Sequence, residues 1–286
     1  MKIKDFLFSY KTILKLNLNE KRYLKFLKKL IGLPYKYLLD VFRIFFLIDK
    51  KNLNSKEFNL LKKNSLDELF ILFNSDKGSK VIIDNKVLKG HNYSPIYEKY
   101  FSKFNSLDEV KILEIGSLKG ASAAAFNKYF QNSIIYCLDV NPFQMKYFSN
   151  NIRRLYVNTR YRKTLSQVSN YLNHKFDIII DDASHNKRDQ ILTLNYFLPK
   201  LKSKGLYVIE DTCEYLRVPE LNDDNLGYGI NEFVHSIFNS GNHYSKYLNE
   251  FEKKDIKKMI GSFNIEKGNF ILNNENIPEI IFIEKK

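Results

Sequence analysis

The 286-residue sequence has only two cysteines, Cys137 and Cys213, in unrelated stretches and without ligand spacing. That excludes a disulfide framework and a thiolate zinc site, and makes a reducing, cytoplasmic setting the expectation. Long hydrophobic runs are missing too. The longest, Leu38 to Ile48, is interrupted by Asp40 and Arg43 and falls short of the roughly 20 apolar residues that span a bilayer. The opening MKIKDFLFSYK has basic residues but no apolar stretch followed by a small-residue cleavage site, so no signal peptide is expected. No internal repeat is visible. Acidic residues are scarce at the start: the first 65 residues hold 16 Lys and Arg against 5 Asp and Glu, which places +11 of the net +14 there. Two readings of that excess stay open. One is a Lys- and Asn-rich composition on solvated helix faces; the other is a basic surface for anionic partners such as nucleotide-linked substrates, lipid headgroups or RNA.

An apolar content of 44% is enough to build a core. Residues 1–65 show apolar residues at helical spacing (Tyr23, Leu24, Leu27, Leu30 and Ile31, then Leu38, Val41, Phe42, Phe45 and Phe46), broken at Gly32 and Pro34. They are expected to form a basic helical appendage, with the main domain over 66–286. A short helix near Leu66–Phe73 leads to a polar loop around Ser75–Gly90. From Val110 the rhythm changes to buried-strand runs: VKILEI (110–115), IIYCLD (134–139), RLYV (154–157), FDIIID (176–181) and GLYVIE (205–210). Helices are expected between them near 120–131, 143–152, 162–173 and 187–200. Two further helices (about 229–239 and 249–259) and two strands (near 261–272 and 279–284) close the chain. Such alternation predicts an α/β, doubly wound, mostly parallel seven-stranded sheet of Rossmann-like type.

In open parallel sheets, ligands bind at the carboxyl ends of the strands, and several predicted ends here are polar. The first runs Glu114-Ile115-Gly116-Ser117-Leu118-Lys119-Gly120-Ala121-Ser122. Its G-x-x-x-G spacing is not the G-x-G-x-x-G of dinucleotide sites, and no Walker lysine precedes a Ser or Thr. A ligand with a ribose and an amino-acid tail but no phosphate suits this turn better. The second strand ends in Asp139, about 20 residues on, where a carboxylate can accept both ribose hydroxyls. Together these features point to S-adenosylmethionine (SAM) rather than NAD.

The fourth strand ends in Asp181-Asp182-Ala183-Ser184-His185 and the fifth in Glu210-Asp211. Neighbouring parallel strands bring Asp182, Glu210 and Asp211 to one mouth, where close carboxylates repel unless a cation intervenes. Oxygen ligands without cysteine favour Mg2+, with Mn2+ or Ca2+ as weaker fits. His185 can face the same cleft as a general base. The plain alternative is that Asp182 caps a helix and His185 is a loop residue.

At this point the sequence resembles the macrocin and mycinamicin type sugar O-methyltransferases, which are class I SAM-dependent enzymes. The resemblance covers roughly residues 66–215. It rests on SDKGS (75–79), KGHNYSPIYEKYF (89–101), LEIGSLKGAS (113–122), FDIIIDDASH (176–185) and GLYVIED (205–211). It implies that Asp182, Glu210 and Asp211 bind magnesium, that His185 is the base, and that SAM sits around Glu114, Gly116, Gly120, Ser122, Asp139 and Asp181. Asp76, Lys77, His91 and Tyr93 resemble the family's N-terminal loop, which closes near SAM and the acceptor. Ala183 stands where the family usually has Gly. The TCEYLRVPELNDDNLGYG stretch after Asp211 departs from its acceptor loop, and the first 65 residues have no counterpart in it. The expected function is metal-dependent methylation of a hydroxyl on a sugar or glycan in surface-glycan (capsule polysaccharide) or natural-product pathways. A phosphorylated or phosphate-like small molecule, or a catechol-like one, is the alternative acceptor. An RNA methyltransferase is disfavoured because no RNA-binding module is recognisable. A non-catalytic binding domain is disfavoured because every ligand position is filled. The apolar helical appendage suggests a homo-oligomer, and its charge suggests peripheral membrane contact.

Overall fold

The computed structural model describes residues 1–59, 65–130, 132–221, 228–239, 245–272 and 274–286. The end of the expected appendage (60–64), the last residue of the helix expected over 120–131 and part of the divergent loop after Asp211 (222–227) lie outside the described residues. The elements run α1 (Ile3–Asn19), α2 (Tyr23–Phe45), β1 (Lys51–Asn52), α3 (Lys56–Asn59), α4 (Leu66–Phe73), β2 (Lys80–Ile83), β3 (Lys86–Lys89), α5 (Ser94–Phe101), β4 (Val110–Ile115), α6 (Ala121–Tyr129) and β5 (Ser133–Asp139). They continue with β6 (Tyr147–Phe148), β7 (Ile152–Tyr156), α7 (Arg162–Tyr171), β8 (Phe176–Asp181), α8 (Lys187–Phe197), β9 (Leu201–Ile209), α9 (Ile230–Asn239), α10 (Glu250–Met259), β10 (Ile260–Leu272) and β11 (Glu275–Lys285).

Seven strands form one sheet in the order β10-β11-β9-β8-β4-β5-β7. β9, β8, β4, β5 and β7 are parallel, and the β10–β11 hairpin joins β9 antiparallel. The Ile-rich runs of β4 and β8 are buried because helices cover both faces. Alternate residues feed two cores: Ile178 and Ile180 enter one with Phe70, Tyr97 and Phe126, while Ile179 enters the other with Leu165, Ile191 and Phe233. The chain reverses direction across the sheet between β4 and β8, so a crevice opens there at the strands' carboxyl ends.

Two expectations need correction. The expected helix over 143–152 is absent; Tyr147–Phe148 instead pair in parallel with Lys51–Asn52, and the Asn150-Asn151 segment turns into β7. The expected polar loop at 75–90 carries the β2–β3 hairpin. Its two-residue turn, Asp84-Asn85, has φ of 49° and 62°, the left-handed pair that a type I′ turn requires. The helix over Leu66–Phe73 is present, started by a reciprocal Ser65–Glu68 capping box.

The N-terminal helices cover the sheet's edge strand, β7. Ser9 accepts from the Tyr156 N–H at 2.9 Å, closing an edge group that would otherwise template strand pairing. Asp5 accepts from Arg153 (Nε, 2.9 Å) and Tyr171. Inside α2, Pro34 has no N–H to give the Leu30 carbonyl, and the Tyr10 hydroxyl fills that role at 3.0 Å. Buried Asp40 anchors α2 through Arg154 (2.7 Å) and Lys50 (3.0 Å). Burial alone would raise its pKa; Arg154 and Lys50 outweigh it and hold the group at about 2. Its folded pKa lies below the unfolded value, so this pairing stabilises the protein above pH ~4 and the stabilisation fades as pH falls toward 2. Asp40→Ala should cost about 3 to 5 kcal/mol by stranding Arg154 and Lys50, read as a lowered denaturation midpoint.

Candidate active site

Four strand tips meet at the crevice. Their backbones are stitched together: Asp182 N–H donates to the Ile115 carbonyl at 2.8 Å, Gly116 N–H to Leu138 at 2.8 Å, and Glu210 N–H to Asp181 at 3.0 Å. Gly116 has φ of +93°, and a side chain there would overlap the Asp182 carbonyl, so only glycine lets the two tips touch. The result is a cleft of about 720 Å³, walled by the β2–β3 hairpin on one side and by Gly116–Lys119, Asp139, Asp182, His185 and Asp211 on the other. A recess of about 180 Å³ adjoins it, sharing Gly116, Asp139, Val140 and Ala183 and adding Leu138, Val157, Thr159 and Ser184. Its mixed apolar and hydroxyl lining suits a flat heteroaromatic ring.

The expected nucleoside residues fall into two groups. Gly116, Ser122, Asp139, Asp76 and Lys77 line the cleft. Asp139 accepts from the Leu118 N–H (2.9 Å), the Asn141 N–H (2.7 Å) and Gln144 (3.2 Å). Burial pushes its pKa up against those bonds. Glu114 is fully buried; Ser122 donates to one oxygen, the other has no hydrogen-bond partner, and burial pushes the group up to about 7. An orphaned carboxylate oxygen behind a glycine turn fits an ammonium-bearing ligand tail.

Gly120 and Asp181 are not in the cleft wall. Gly120, at φ +78°, precedes α6 beneath the Met145 side chain. Asp181 turns inward to the Thr193 hydroxyl, and burial raises it to about 8; its strand position points it away from its neighbour Asp182.

The acidic cluster also differs from expectation. Ligand atoms of Asp182, His185 and Asp211 lie within 4.8 Å of one another. His185 Nε2 is 3.7 Å from Asp211 and 4.0 Å from Asp182, and its buried Nδ1 has no hydrogen-bond partner among the described residues. His185 and Asp211 both hold left-handed backbones (φ 53° and 51°), the kind of local strain that clusters at functional sites. Glu210 does not join this trio. One of its oxygens accepts from Lys77 at 2.6 Å and the other from the Tyr97 hydroxyl. Lys77, only 2% exposed, also reaches Asp182 at 2.5 Å. Burial opposes its charge, but Asp182 and Glu210 outweigh burial and raise its pKa well above normal.

The 75–79 and 90–93 segments are zipped together by His91 N–H to Asp76 (2.7 Å), Tyr93 N–H to Lys77 (2.8 Å) and Asn92 N–H to Gly78 (3.0 Å). This holds Tyr93 where its hydroxyl donates to Asp211 at 2.8 Å. His91 sits 3.8 Å from Asp211 and 3.9 Å from Glu279. Burial opposes protonation there, yet Glu279 and Asp211 prevail and raise His91 to about 9. Tyr97 and Glu279 escaped the sequence reading, although Tyr97 lies one helical turn after Tyr93.

A glycine turn, a strand-end aspartate and an acidic tip pair sit together at the carboxyl ends of this sheet. Residues 113–212 match the family described as a methyltransferase domain. A methyltransferase from the mycinamycin biosynthetic pathway, solved in complex with Mg and SAH, superposes with a TM-score of 0.57 at 20% identity, over 78% of this chain and 55% of that one. The fold is a methyltransferase fold. The chain resembles sugar O-methyltransferases in sequence as well. Demethylmacrocin O-methyltransferase of Streptomyces fradiae is 27% identical over 128 residues, 42% of this chain and 32% of the relative. The 8-demethyl-8-alpha-L-rhamnosyl tetracenomycin-C 2'-O-methyltransferase of Streptomyces olivaceus is 25% identical over the same length, 42% of this chain and 33% of the relative. The chain thus spans about a third of the length of these curated relatives, and the methyltransferase domain occupies its middle.

Proposed function

We propose that this protein is a SAM-dependent O-methyltransferase that uses a divalent cation and acts on a sugar hydroxyl. The carrying observation is the convergence of Asp182, His185 and Asp211 on the cleft that Gly116 and Asp139 also line. SAM supplies the methyl group. Its nucleoside is assigned to Asp139 and the adjoining recess, and its amino-acid tail to Glu114 and the Gly116 turn. A bound divalent cation makes a hydroxyl it touches more acidic. Asp182 and Asp211 are the residues that would hold it, since each turns a carboxylate oxygen toward the other and toward the cleft. Glu210 supports that site from behind, by fixing Lys77 and Tyr97.

His185 takes the proton from the acceptor hydroxyl. Both carboxylates beside Nε2 stabilise the imidazolium that results. The strand tips, joined backbone to backbone, hold base and donor in register, where orientation supplies much of the acceleration. The test is mass spectrometry of reactions with SAM and a panel of nucleotide sugars and glycosides. The expected result is a gain of one methyl on a sugar, abolished by EDTA and restored by Mg2+. Full turnover after thorough chelation removes the cation from the account; methylation of a non-sugar acceptor alone removes the sugar.

A further inference from the structure

Helix α2 leaves a large apolar face uncovered. Leu24, Leu27, Ile31, Tyr35, Leu38, Phe42 and Phe45 follow one another at three- and four-residue steps and form one stripe, with Leu24 and Ile31 each 77% exposed and Phe45 78%. Leu33 and Asp40, on the opposite side, are the residues α2 buries. A stripe of this size is unusual on a solvated surface.

Its flank is basic. Lys25, Lys28, Lys29, Lys36 and Arg43 are the charged residues that α2 shows to solvent, because its one acid, Asp40, is buried. Lys28 and, further round, Lys25 lie nearest the stripe; Lys29 and Lys36 share the Leu33 side and, with Lys25 and Arg22, line a groove of about 380 Å³ with no carboxylate among its described wall residues. Burial, then repulsion from Lys36 and Lys25, lowers the pKa of Lys29; Arg22 and Arg43 pair with Glu20 and Asp49. Two copies docked through this face would bring positive flanks together. An anionic surface answers both the stripe and the flank.

We propose that α2 is an interfacial helix that seats the protein on an anionic lipid bilayer, with its apolar stripe at the acyl boundary and Lys25 and Lys28 among the headgroup phosphates. No described helix is long and apolar enough to cross a membrane, so α2 lies along the surface. Val140 borders both the basic groove and the cleft, and Gln144 borders both the cleft and the pocket at Arg43 and Leu47. The seated helix therefore keeps the cleft beside the lipid surface, within reach of an acceptor held there.

The test is flotation of the full chain with vesicles of phosphatidylcholine alone or mixed with phosphatidylglycerol, alongside Ile31→Glu/Leu38→Glu, with thermal melting to confirm the variant's fold and analytical ultracentrifugation of both proteins. The expected result is partition onto the phosphatidylglycerol vesicles, weaker in high salt and at least about tenfold weaker in the variant. Absence of partition, or equal partition by the variant, overturns the proposal. So does a wild-type dimer that the two substitutions convert to monomer, since a second copy then covers the stripe.

Discussion

Replacing His185 with alanine lowers turnover about a hundredfold or more while SAH affinity stays nearly unchanged. The expectation follows from position. Nε2 faces Asp182 and Asp211 across 4.0 and 3.7 Å, whereas the proposed nucleoside side of the cleft is built from Gly116, Asp139 and the adjoining recess. Removing the imidazole therefore removes the proton acceptor without disturbing the donor's contacts. Steady-state rates beside calorimetric SAH titration separate the two effects. Unimpaired turnover would assign the proton to a group other than His185.

Lys77→Met should destabilise the protein by about 3 to 5 kcal/mol, because a buried ammonium shared by two carboxylates leaves both of them uncompensated when it goes. In a protein of this size that lowers the melting temperature by about 10 °C. Methionine keeps the volume, so loss of charge, not a cavity, is what the experiment reads. Mg2+ should recover part of the loss, since a cation near Asp182 relieves the same repulsion. A variant that melts like the wild type would mean that Lys77 is not the counterion of Asp182 and Glu210.

Much of this arrangement is legible in the sequence. Runs such as FDIIID and VKILEI have no polar face to give to water, so they fit central parallel strands, and the acids that end them must gather at one rim. Side-chain direction was harder to read. Asp181 and Asp182 are adjacent, and strand alternation turns Asp181 inward to Thr193; Glu210 reaches Lys77 and Tyr97 just past the end of β9, where Asp211 turns through a left-handed backbone. The alternation at Asp181 was available from residue position alone; the left-handed turn at Asp211 was not. The partners were not, because Lys77 reaches Glu210 across 133 residues of sequence. The hairpin at 80–89 was hidden by its polar flanks and by a turn, Asp84-Asn85, that lacks glycine. The helix expected over 143–152 gave way to a two-residue pairing with β1, a tertiary contact that outweighs local preference.

The central claim is that Asp182 and Asp211 together hold a divalent cation beside the nucleoside site. Electron paramagnetic resonance of Mn2+ titrated into SAH-loaded protein tests it most directly. One bound ion per chain is expected, lost in Asp182→Asn/Asp211→Asn while SAH remains bound. Undiminished Mn2+ binding by that double variant would contradict the account.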